Sequence, residues 1–222
     1  MPPIAVHWIK NNALAAAISC AASLCVYVAR QATGAADGDA GLGGLAIFYV
    51  LAGLLWAFSG GTDGLFSGAV LQRILPLLPA RTWIGLHAVL SVIIGAASEW
   101  GMSTSSADAA SAADASVGEM LLSGLISGAV FGAAVGGLEA LVLRRAALGA
   151  GAWMGWSSVA FAVALPFFAI GASVLGVGGG FAGELANQAL LFVTALLIAL
   201  VMLQGLRSLK DPMLSRAGEF FS

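Results

Sequence analysis

Three titratable side chains stand inside apolar sequence, and they are where chemistry would have to reside. Asp63 lies in Ser59-Gly60-Gly61-Thr62-Asp63-Gly64, between two apolar runs. It precedes Arg73 by ten residues, about 15 Å along a helix and half of a bilayer's hydrocarbon thickness. A carboxylate at that depth costs several kcal/mol unless a cavity, a partner or a proton relieves it, which makes it a functional candidate by default. Glu139 lies six residues before Arg145, about 9 Å inside a basic helix end. Its expected partner is Arg144 or Arg73. His87 follows Trp83 by one helical turn, and because an ordinary histidine side chain changes charge near neutrality, a proton relay between Asp63 and His87 is one use of the pair. Thr62 and Ser67 add oxygen donors beside Asp63. A cation or solute site built from Asp63, Thr62, Ser67, His87 and Glu139 is the expectation; a protonated Asp63 with a purely structural hydrogen bond is the rival.

The elements that would position these groups are transmembrane helices. Of 222 residues, 60% are hydrophobic and only 9% are charged, and the mean hydropathy is +0.98. A soluble domain carries about a quarter charged residues, so the composition excludes a soluble enzyme or a disordered chain. A net charge of −2 leaves no basic surface for nucleic acid. The fold class is all-α: a polytopic membrane protein with six spans at about 12–30, 45–73, 82–100, 118–145, 152–175 and 183–207. All of 1–222 forms one integral membrane domain, with the lipid bilayer as its first partner.

Charge placement sets an orientation. Six spans put Lys10, Arg73, Arg81, Arg144, Arg145, Arg207, Lys210 and Arg216 on one side and only Arg30 on the other. Basic residues mark the cytoplasmic side, so both termini are expected in the cytoplasm, and the expected location is a bacterial inner membrane. Asp37, Asp39, Glu99, Asp108, Asp114, Glu119 and Glu184 fall on or near the outer side, and Gly101–Val117 reads as a solvated connector.

A parallel internal repeat relates spans two and three to spans four and five. Aligning Arg73 with Arg145 superposes Gly60 on Gly132, Gly64 on Gly136 and Ser67 on Glu139, and a Trp opens each return helix at Trp83 and Trp153. A competing register matches the run from Gly64 to Val70 with that from Gly124 to Val130. The first is preferred because it aligns the charged helix ends.

Two glycine stripes accompany the repeat: Gly60, Gly64 and Gly68 in the second span, and Gly124, Gly128, Gly132 and Gly136 in the fourth. Glycines four apart share a helix face and let backbones approach closely in lipid. The two stripes are expected to face each other, with a homo-oligomeric contact as the alternative. The paired glycines around Asp63 are poor helix interior and suggest a broken or re-entrant helix whose free carbonyls would join Asp63 and Thr62. His7 is placed before the first span. Pro166 should kink the fifth.

Cys20 and Cys25 are five residues apart, so they sit on different helix faces and read as packing residues. No Walker loop, HExxH or GxSxG pattern occurs, no metal or cofactor is implied, and the extramembrane segments are too short for a catalytic domain. A small ion or solute channel or transporter is therefore expected, not an enzyme. The alternative is a membrane subunit or scaffold assembled through its glycine helices with copies of itself or partner subunits. An intramembrane enzyme using Asp63 or Glu139 with His87 is the weakest reading.

Overall fold

A computed structural model describes residues 3–35, 41–104, 116–175 and 180–210. It contains six helices: α1 (Pro3–Ala32), α2 (Leu42–Ile74), α3 (Ala80–Thr104), α4 (Val117–Leu143), α5 (Ala150–Leu175) and α6 (Phe181–Ser208). All six are long and apolar enough to cross a membrane. Most helices extend past the expected spans, above all α1, which begins at Pro3 and so takes His7 into its first turns, whereas α4 stops at Leu143, short of the expected 145. Asp39, Asp108 and Gly179, expected on the outer side, fall outside the described residues, as does most of the Gly101–Val117 connector.

The helices pack as a ring in chain order. Each lies against its sequence neighbours, and α1 closes the ring on α6. The contact between α4 and α5 is the most extensive and that between α2 and α3 follows; the seam between α3 and α4 is the thinnest. Large apolar side chains such as Val50, Leu54, Phe58, Ile93, Ile126 and Val130 are exposed on the outside of the ring. This inverts a soluble fold and suits contact with hydrocarbon.

Glycine explains the ranking of these contacts, and it corrects the expectation that the two stripes meet. No contact joins α2 to α4 among the described residues. Each stripe instead receives its own hairpin partner. A Cβ at Gly60 would lie 2.3 Å from the His87 carbonyl oxygen, and one at Gly64 would lie 2.8 Å from Ile84 Cα. On α4, a Cβ at Gly128 would lie 2.3 Å from the Phe161 carbonyl oxygen, and one at Gly132 would lie 2.4 Å from that of Ser157. The short turns after Ile74 and Leu143 hold each pair together, so the bare stripe is used by the nearest helix.

α2 is also continuous through Gly60–Gly64, which overturns the expected break. Propensity scales measured in water penalise these glycines. An apolar surrounding penalises an unsatisfied backbone group far more, and so keeps the helix intact. Thr62 and Ser67 reinforce it locally, donating to the Ser59 and Asp63 carbonyls at 2.7 Å each. α5 likewise runs through Pro166, which packs against α4 where Gly124 leaves room.

The best-packed region lies at the end of the ring that holds both chain ends of the described structure. Trp8, Leu71, Leu75, Trp83, Leu143, Trp153 and Leu206 are buried there in one cluster. Trp153 stands edge-on to Trp8 and Trp83, with centroids 6.0 Å and 6.3 Å apart. The α4–α5 turn is tied to the chain after α6 by paired Leu148–Lys210 backbone hydrogen bonds of 2.9 and 3.0 Å. Gly149 serves that tie with φ +87°, and a Cβ there would strike the Ser208 carbonyl oxygen. Cys20 and Cys25 are unbridged.

Candidate functional site

A central cavity of about 500 Å³ is lined by all six helices. The tryptophan-rich cluster is its floor. Its walls run from Trp8, Trp83, Trp153 and Met202 toward Ser23 and Ser98 at the far end, where Ser98 is exposed.

Just above the floor, three helices contribute one ionisable group each. Asp63 from α2 places Oδ2 2.7 Å from His87 Nδ1, and Glu139 from α4 places Oε1 3.2 Å from His87 Nε2. His87 on α3 is thus a bridge between two carboxylates. The Nδ1 contact is a well-formed hydrogen bond. The Nε2 contact is an ion-pair distance without hydrogen-bond alignment, and Nε2 has no other partner.

Exposure separates the two acids. The Asp63 side chain is 39% exposed and that of Glu139 only 9%. Asp63 lines the cavity, and its carboxylate keeps accessible surface there. Glu139 is fixed from behind, since Trp153 donates its indole N–H to Oε2 at 2.7 Å. Trp83 makes a corresponding bond to Ser67 Oγ at 3.0 Å, and Ser67 donates onward to the Asp63 carbonyl. Trp83 also packs on His87, ring centroids 4.9 Å apart.

The proton inventory follows from donor chemistry. A neutral imidazole has one N–H and an imidazolium has two. With both carboxylates ionised, an imidazolium can serve both, and the cluster carries a net charge of −1. From that −1 state, loss of the imidazolium proton gives −2 and gain of one more proton gives a neutral cluster. No Lys or Arg lines the cavity among the described residues. The surroundings therefore favour positive charge, whether a proton or another cation.

Of the residues expected to act, Asp63, Ser67, His87 and Glu139 are brought together. Thr62 is not, because its hydroxyl turns back to its own helix. The expected pairing of Glu139 with Arg144 or Arg73 is replaced by His87 and Trp153. The two indole N–H donors were not anticipated, although the Trp at the start of each return helix was a visible signal. Ser59, joined to Ser19 at 2.7 Å, and Gln188 also line the cavity. No group of three or more His, Cys, Asp or Glu among the described residues is disposed to hold a metal. The reason is visible at His87, whose two ring nitrogens diverge to different carboxylates.

Comparison with protein families, curated proteins and solved structures finds no match.

Proposed function

We propose that this protein is an integral membrane transporter that moves a small cation against protons. The observation that carries the reading is the Asp63–His87–Glu139 cluster at the closed floor of a cavity that reaches Asp63. Three coupled ionisable groups with no basic neighbour are a costly arrangement in an apolar fold, and in membranes such groups mark ion and proton paths. A cation at Asp63 and a proton on His87 compete for the same negative charge, so binding one favours release of the other. That is the thermodynamic requirement for exchange. The work is binding and translocation, with no covalent step.

The orientation proposed with this reading puts the tryptophan floor and both termini on the cytoplasmic side of a bacterial inner membrane, as the eight basic residues against Arg30 imply. The cavity then faces outward. We also propose that α2–α3 and α4–α5 are two copies of one unit. Corresponding contacts support this. Aligning Trp83 with Trp153 places His87 on Ser157, Ser91 on Phe161 and Ile84 on Met154. Gly60 meets His87 and Ser91, and its counterpart Gly132 meets Ser157 and Phe161. Gly64 meets Ile84 and His87, and its counterpart Gly136 meets Met154 and Ser157. The indole bonds correspond too, because Ser67 and Glu139 are aligned.

The test is a flux assay in proteoliposomes with an imposed pH gradient and a trapped pH dye, challenged with a panel of inorganic and organic cations. Wild type should dissipate the gradient with at least one of them, and Asp63→Asn should not. Ser127→Ala, whose hydroxyl bonds its own helix away from the cavity, should behave as wild type. A folded wild-type protein that moves no cation, or an Asp63→Asn protein with full activity, overturns the reading.

A further inference from the structure

The cavity above the triad is not shaped for a bare ion. At about 500 Å³ it falls in the range of small-molecule sites, about 300–1,000 Å³. Hard inorganic cations are held by several converging oxygens at short range. Here the carboxylate oxygens diverge around His87.

The rest of the lining is aromatic and selectively polar. Trp56, Phe131 and Phe161 offer half-buried ring surface from α2, α4 and α5, above the buried indoles of Trp8, Trp83 and Trp153. Aromatic faces attract organic cations through their quadrupole and pack against apolar bodies. Two polar atoms toward the far end stand ready and unused. Gln188 is 5% exposed, yet its Oε1 has no donor, and the Trp56 indole N–H has no acceptor. Gln188 already spends its amide N–H on Glu184, so the free atom is an acceptor only. A buried carbonyl without a donor is costly, and here it borders the cavity. Gln188 is level with Ser59 and Trp56: Cys20 contacts the Gln188 carbonyl at 3.3 Å, neighbouring Ser19 bonds Ser59, and Trp56 is one turn from Ser59.

We propose that the cavity binds a small organic ammonium compound. Its ammonium group sits against the exposed carboxylate of Asp63, its apolar body lies among the rings of Trp56, Phe131 and Phe161, and Gln188 Oε1 and the Trp56 indole N–H take the polar groups at its other end. The inference rests on the cation-transport reading and names the class of cation.

The test is direct binding to the purified full-length protein in nanodiscs, followed by tryptophan fluorescence and calorimetry. The probes are 2-phenylethylammonium, its neutral counterpart 2-phenylethanol, and sodium and potassium chloride. The ammonium probe should bind and perturb tryptophan emission. The alcohol should bind at least about tenfold more weakly, because loss of a charge partner in a buried site is worth several-fold to much larger factors. Asp63→Asn should weaken the ammonium probe by about tenfold or more. Gln188→Met, which removes the orphan acceptor and preserves volume, should weaken 4-(2-aminoethyl)phenol, whose hydroxyl lies at the end opposite the ammonium, more than 2-phenylethylammonium. Equal affinity for ammonium and alcohol, or no loss in Asp63→Asn of unchanged thermal stability, overturns the proposal. Proton exchange with sodium or potassium in the flux assay, without ammonium binding, overturns it and leaves the transport reading standing. Ammonium binding without any flux sinks transport and keeps the site.

Discussion

Gly60 and Gly61 are adjacent on α2 and differ in only one physical respect. A Cβ at Gly60 would lie 2.3 Å from the His87 carbonyl oxygen and 2.4 Å from Ser91 Cβ, whereas one at Gly61 meets nothing within 4 Å. Both are mid-helix, so changing either to Ala brings the same gain in helix propensity, about 1 kcal/mol. The difference between Gly60→Ala and Gly61→Ala therefore isolates packing. Ordinary contact begins at 3.4 Å, so α2 and α3 must part locally by about 1 Å to admit the new methyl. The obstacle is backbone, which cannot rotate away. Overpacking of this kind costs about 1–3 kcal/mol, and that is the expected gap in stability between the two variants.

The same displacement has a functional consequence. His87 contributes both the carbonyl that Gly60 meets and the ring that Asp63 meets at 2.7 Å. Separating α2 from α3 there stretches that bond beyond hydrogen-bond range. Gly60→Ala should melt well below Gly61→Ala in the same detergent and should lose cation exchange, while Gly61→Ala keeps both. Identical melting of the two proteins would refute the close α2–α3 approach.

Trp153→Phe keeps an aromatic ring near Trp8 and Trp83 but removes the second ring and the donor to Glu139, and the double variant separates the donor's share of the loss. A buried carboxylate deprived of a hydrogen bond should lose about 1.5–3 kcal/mol, read as a lowered thermal midpoint that Glu139→Gln, with its weaker demand for a donor, partly restores in the double variant. Reporter fusions at Asp39, Asp108 and Gly179 should report the outer side, and fusions at the two termini the cytoplasm; a cytoplasmic signal at Asp108 would overturn the proposed orientation. Gly149→Ala places a Cβ at φ +87° against the Ser208 carbonyl oxygen, and should destabilise by about 1–3 kcal/mol through loss of the α4–α5 tie to Lys210, as measured by the same melting assay.

The sequence makes depth legible and leaves neighbours hidden. Hydropathy and run length set out six helices, since each must satisfy its own backbone in lipid. Asp63, His87 and Glu139 stand out singly, because charge in apolar sequence is conspicuous. Their convergence does not, because helical periodicity assigns a face without saying which helix lies opposite. Charge at the basic helix ends pairs Glu139 with Arg144 or Arg73, whereas its partner comes from α3 across the thinnest seam of the ring. The glycine stripes failed in the same way: their period was plain, but hairpin connectivity chose α3 and α5 as the helices that use them. The continuous α2 shows a different limit, because propensities measured in water misjudge glycine where no water competes for the backbone.

The two acids differ enough in setting to have different work in the proposed exchange. Glu139 is almost fully buried, and Trp153 holds its Oε2, so only Oε1 remains to face His87. It borders the cavity as Asp63 does, but it cannot turn further into it without surrendering the indole bond. Asp63 keeps a substantial exposed surface on the cavity side while touching His87 through a single oxygen. A cation arriving from the cavity therefore meets Asp63 first, and its charge weakens the hold of Asp63 on the His87 proton. Glu139, fixed on the far side of the ring, offers that proton a second acceptor as it leaves His87. On this reasoning Asp63→Asn removes cation affinity itself. Glu139→Gln leaves much of that affinity and removes the dependence of transport on the proton gradient. If both substitutions instead lower cation affinity equally, the acids act as one undivided ligand set and the division of labour read from their burial is wrong.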